Sequence, residues 1–146
     1  QTGPDAVCLA FRRPVCYIDV TRFSQFFFGT KLAYWNPSEL RRDGKRLTLK
    51  EIVSSDVMWI KDPNEFIEHG IRSVRSTPQE IERLVVGFID LCESDFKMSS
   101  GDHDLSCRAQ EIIGSGMGER GINTFGRITA QLNPAFLHEH GDWFLA

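Results

Sequence analysis

The chain has 146 residues, 41% hydrophobic and 25% charged. This is the composition of an ordinary globular domain and excludes a disordered or fibrous chain. No apolar run approaches the length a membrane span needs, and a net charge of −3 with no recognisable binding motif argues against nucleic acid as a partner. The charge is nevertheless uneven: residues 1–50 carry nine Lys/Arg against four Asp/Glu, whereas the remainder is net −8. A basic first third suits a phosphate-bearing partner, although a solvated charged surface is the commoner explanation of such a bias.

The chain opens on Thr2-Gly3-Pro4-Asp5. Thr2 or Gly3 suits an N-cap, Pro4 the first helical position, and Asp5 the positive end of the helix dipole. Ala6, Val7, Leu9, Ala10 and Phe11 then make a short helix that is apolar almost all round, so it is expected to be covered. Pro14 ends it, and Val15 to Val20 reads as a strand buried on both faces. The turn before the helix presents backbone N–H groups suited to an anion, which makes it a phosphate-site candidate; an ordinary capped helix is the alternative. The first residue is not Met, so the chain is expected to be a fragment or the tail of a longer protein.

Phe23, Phe26, Phe27 and Phe28 crowd the next segment, as core packing or as the wall of a cleft. Lys31 to Trp35 reads as extended, and Asn36-Pro37 and Asp43-Gly44 mark the turns of a polar loop. Thr48-Leu49-Lys50-Glu51 is a capping box opening a short helix whose inward residues are Leu49, Ile52 and Val53. Val57 to Ile60 fits a strand or a loop. Asp62-Pro63 begins a second helix, with Phe66 and Ile67 inward and Gly70 as its stop. Ile71 to Arg75 is a short strand candidate. Thr77-Pro78-Gln79-Glu80 is the strongest helix start in the chain, and Ile81, Leu84, Val85, Phe88, Ile89 and Cys92 follow as one apolar stripe.

A helix is expected over Asp104 to Ile113 and another from Asn133-Pro134 through Phe136 and Leu137. Between them, residues 116–121 match GxGxxG, but no strand precedes the run, so it is read as a flexible linker rather than a dinucleotide fingerprint. Cys8, Cys16, Cys92 and Cys107 show no metal-binding spacing and sit in apolar segments, which points to buried free thiols in a reducing, cytoplasmic setting. No metal is expected: the histidines are scattered, and His138 and His140 do not share a helix face. No nucleophile triad or P-loop is present.

Four stretches, taken in order, resemble the C-terminal portion of a family of bacterial GT-B-type glycosyltransferases associated with surface-polysaccharide synthesis. They are Thr2 to Val7 with Arg13-Pro14-Val15; Thr30-Lys31-Leu32 with Gly44 to Ile52; Gly70-Ile71 through Ser76 to Ile81; and Gly126 to Ala130 with Ala135-Phe136-Leu137. The resemblance implies an α/β fold: a partial Rossmann-like domain over residues 1–98, with a small, mostly parallel sheet, and a C-terminal helical extension over 99–146. It implies that Thr2, Gly3 and the helix start at Pro4 and Asp5 contact the diphosphate of a nucleotide-sugar donor, with Lys31 as a further ligand. It implies transfer to a glycan or other acceptor without a metal or other cofactor, and an acceptor-binding domain preceding Gln1 in the same chain. Such a fragment would be inactive alone. A sugar-nucleotide epimerase of the same architecture would need carboxylate and imidazole groups in its cleft. A non-enzymatic interaction domain would present the Phe23–Phe28 cluster and the Trp143-Phe144 end as apolar surface.

Overall fold

The computed structural model describes residues 7–8, 10–21, 33–93, 99–125 and 130–146, and of residues 117–125 the backbone alone. The protein is α/β. Strands β1 (Val15–Val20), β2 (Ala33–Pro37) and β6 (Gln131–Leu132) form a parallel sheet in the order β1-β2-β6. Strands β3 (Glu39–Arg42), β4 (Lys45–Arg46) and β5 (Ile71–Val74) form a separate antiparallel sheet in the order β4-β3-β5. The helices are α1 (Leu49–Ser54), α2 (Pro63–Glu68), α3 (Pro78–Cys92), α4 (Ser100–Phe125) and α5 (Pro134–Phe144), with a 3-10 turn at Asp56–Trp59. That turn occupies the run read as strand or loop.

The helix starts follow the local chemistry. At α1 and α3 the box closes in both directions: Thr48 and Thr77 accept from the N–H of Glu51 and Glu80, whose carboxylates accept from the Thr48 and Thr77 N–H groups. Asp62 and Asn133 cap α2 and α5 ahead of Pro63 and Pro134. Gly70 supplies the left-handed backbone (φ 66°) that stops α2 and turns the chain into β5.

The second sheet replaces the polar loop expected after Asn36-Pro37. Asp43 and Gly44 both take positive φ (51° and 80°), the geometry of a two-residue hairpin turn, and pair Arg42 with Lys45 and Arg41 with Arg46. Only Leu40 of this ribbon is buried, so its apolar alternation is a single residue long and invisible to a periodicity reading.

The C-terminal segment does more than extend the fold. Its strand β6 pairs with β2, Tyr34 opposite Gln131 and Trp35 opposite Leu132, so residues before 99 and after 130 share one core. That core holds Trp35, Leu49, Ile52, Met58, Leu132, Leu137 and Phe144. Asn133, wholly buried, ties its layers together. Its N–H donates to the Trp35 carbonyl (2.7 Å), its Nδ2 to the Leu84 carbonyl (3.1 Å), and its Oδ1 accepts from Ala135 N–H (3.0 Å).

Helix α4 runs through the glycine-rich stretch expected as a linker. Gly114 and Gly116 are helical, and a Cβ on Gly116 would lie 2.4 Å from Val53 Cγ2. The absent side chain lets α4 approach α1, a packing reason for glycine that outweighs its poor helix propensity.

Burial corrects four further expectations. The helical turn at Val7, Cys8 and Ala10 is not covered: Val7 and Phe11 are 58% and 73% exposed. Arg12 (φ 53°) ends the turn as Arg13 N–H closes on the Cys8 carbonyl (2.8 Å). Strand β1 is half-buried along its length, because it edges the sheet among the described residues. Ile67 points outward. On α3 only Leu84 of the apolar stripe is buried; Val85 and Ile89 face outward, while Phe88 meets Tyr34 edge-on at 5.8 Å.

Candidate functional site

The strongest convergence of polar side chains lies past the carboxyl end of the parallel sheet, where ligands of open α/β sheets sit. Strand β1 breaks register between Tyr17 and Val20, and Asp19 turns into the left-handed region (φ 55°). Its carboxylate accepts from the Ser76 N–H (3.0 and 3.2 Å) and from the Ser76 hydroxyl (2.7 Å). That clasp pins the start of α3 to the end of β1.

Beside it opens a cleft of ≈ 170 Å³ with three walls. The start of α3 contributes Thr77 and Glu80; α5 contributes Phe136, Glu139, His140 and Trp143; the antiparallel sheet contributes Glu39, Arg46 and Arg75, which follows β5. Most of these charges are already paired. Glu39 holds Arg41 and Arg46 (2.8 Å to the latter), and Arg46 also lies over the Trp143 ring at 5.3 Å. Arg83 binds Glu139 through two nitrogens, at 2.8 and 3.3 Å. Hydrogen bonds from the Thr77 hydroxyl and backbone N–H hold the Glu80 carboxyl below its usual range and keep it ionised. Arg75 makes no ion pair among the described residues.

The helix start itself is not an open anion cradle. The donors of Ser76, Thr77 and Glu80 are occupied by Asp19, by the Glu80 carboxylate and by the Thr77 hydroxyl, so a phosphate here relies on guanidinium groups. One atom each of Glu80, Glu139 and His140 lies within 4.8 Å of the others, a set able to act as ligands or as an acid–base group. His140 is oriented by ring packing against Phe136 (5.0 Å) and Trp143 (6.2 Å). His138, outside that set, is exposed.

Every residue expected at the donor diphosphate, Thr2, Gly3, Pro4, Asp5 and Lys31, lies outside the described residues, as does the Phe23–Phe28 cluster. The Trp143-Phe144 end is not an exposed patch: Phe144 is buried and Trp143 lines the cleft. The cleft residues escaped the sequence reading because they come from segments up to about a hundred positions apart. Thr77 and Glu80 were legible only as a cap.

A second groove, lined by Thr21, Pro63, Phe66, Ile67, Ile71, Arg72 and Ser73, holds a single titratable side chain. The four cysteines are free, and Cys92 and Cys107 are exposed rather than buried. Among the described residues no helix is long and apolar enough to cross a membrane. No family model, curated protein or solved structure matches this chain.

Proposed function

We propose that this chain is the nucleotide-sugar donor-binding part of a GT-B-type glycosyltransferase, a Rossmann-like half whose cleft at the carboxyl edge of the parallel sheet receives the donor diphosphate. The observation that carries the reading is Arg75: an exposed guanidinium without an ion pair among the described residues, at the mouth of a cleft where ligands of parallel sheets bind. Arg46, held by Glu39, adds a second cation on the same wall. Guanidinium groups suit a diphosphate because their planar donors meet phosphate oxygens in pairs. In this reading the diphosphate leaves with its charge balanced by Arg75 and Arg46, and the acceptor comes from a domain preceding Gln1. The turn Thr2-Gly3-Pro4-Asp5 and Lys31 complete the donor site.

Titration of the chain with UDP- and GDP-sugars, followed by calorimetry and amide NMR, tests this. Binding of one of them, weakened about tenfold or more by Arg75→Ala (roughly 1.4 kcal/mol), is expected, with an unchanged melting temperature because Arg75 is exposed. No binding at millimolar concentration, or binding indifferent to the substitution, overturns it.

One observation favours a second reading. His140 with Glu80 and Glu139 places carboxylate and imidazole groups together in the cleft, the equipment a sugar-nucleotide epimerase requires. Product analysis on the full-length protein separates the two: an epimer of the donor formed without acceptor points to epimerisation, a glycosylated acceptor to transfer.

A further inference from the structure

Three ligand-type side chains meet in the cleft, and each is held by a group outside the set. Glu80 comes from α3, Glu139 and His140 from α5, and one donor atom of each lies within 4.8 Å of the others. Thr77 draws the Glu80 carboxylate into the capping box and keeps it ionised. Arg83 fixes Glu139 at 2.8 and 3.3 Å, and the rings of Phe136 and Trp143 flank His140. Outer partners of this kind orient metal ligands, and a carboxylate oxygen that accepts one hydrogen bond keeps a lone pair for an ion.

A separate sign of a ligand comes from Trp143. Its indole N–H is buried and has no acceptor among the described residues, and the residue lines the same cleft. A buried donor left unpaired is costly. A water or anion carried into the cleft on a cation is an acceptor for it.

We propose that Glu80, Glu139 and His140 form a zinc site. The donor set selects the ion: an imidazole with two carboxylates suits zinc, whereas magnesium and calcium take oxygen ligands. A tetrahedral zinc with ligands at about 2.0 to 2.2 Å sets its donors closer together than 4.8 Å. The set therefore closes in slightly on binding, and Glu139, 42% exposed, has room to move. Three protein ligands leave a fourth position, open to water or to a phosphate oxygen. Glu80 lies far from the other two in sequence, so no ligand spacing announces the site. The site stands apart from the donor reading, which rests on Arg75, and it is tested with the metal alone.

The test is titration of the folded chain with zinc by calorimetry, with cobalt as a coloured substitute. One equivalent is expected to bind, and the cobalt spectrum is expected to lack a thiolate charge-transfer band, which excludes the exposed Cys92 and Cys107 as ligands. His140→Gln is expected to weaken binding roughly tenfold or more, since loss of even an outer partner costs that much. His138→Gln, an exposed neighbour on the same helix, is expected to leave the affinity unchanged. Melting temperatures confirm that each variant is folded; where His140→Gln disturbs the ring packing, the exposed Glu139→Gln takes its place. No binding with zinc in excess, an affinity that survives loss of a ligand in a folded variant, or a cobalt spectrum with the thiolate band overturns the proposal.

Discussion

The two sheets of this protein are held by different means. The parallel sheet joins strands separated by most of the chain, and a single buried amide, Asn133, bonds β2, α3 and α5 at its centre. The antiparallel sheet is mostly local: a hairpin turn at Asp43-Gly44 sets β3 against β4, and partly exposed ion pairs around Glu39 lace its surface. Its neighbour β5 is brought in by the backward turn at Gly70. Buried polar knots are costly to break because each orphaned group keeps its desolvation penalty, whereas turns and surface ion pairs contribute little singly.

Four substitutions sharpen that contrast. Asn133→Ala removes a helix cap and the buried amide that adds a second hydrogen bond to the Leu84 carbonyl, so urea unfolding is expected to show a loss of about 2 kcal/mol. A loss under 1 kcal/mol would place the strength of the parallel sheet in packing alone.

Next in size is the pH response of Cys16 on β1. Burial raises its folded-state value from 9.0 to about 11. The stability tied to the neutral thiol is therefore fully present below 9 and lost as pH rises through 11, because the unfolded thiol ionises first. Cys16→Ala should flatten this limb relative to the unsubstituted chain by at most about 2 kcal/mol, discounted for partial exposure. Parallel curves for both proteins would remove the effect.

In the second sheet, Gly44→Ala places a Cβ at φ 80°, with open space around it. The cost is backbone strain, about 1 kcal/mol in thermal melts. Smallest of all, Arg46→Met deletes the ion pair with Glu39 together with the guanidinium that lies over Trp143; a change under about 1 kcal/mol is expected. A larger drop would mean that the ribbon depends on its charges more than on its turn.

How much was legible follows range of interaction. The caps at Thr48, Asp62, Thr77 and Asn133 involve atoms at most three residues away, so their hydrogen bonds could be written from the sequence before the fold was known. The α/β class was legible for the same reason. The stripe on α3 was legible as a helix but misleading about burial, since periodicity says which side is apolar and not how much of it finds a partner. The cleft was not legible at all. Arg75, Glu80 and His140 carry no mutual spacing signal, and the Asp19 clasp that aligns them spans fifty-seven positions.

By itself, then, the sequence determined where α1, α2, α3 and α5 begin, where Gly70 reverses the chain, and that the N-termini of α1 and α3 are satisfied internally, because each depends on neighbours within one turn. Only the tertiary structure decided that Gly116 is a contact surface rather than a hinge. It alone decided that residues 131–132 complete the first sheet and that buried Leu40 and Ile71 anchor a second. Those outcomes rest on which distant surfaces meet at van der Waals distance, a property that no local preference encodes.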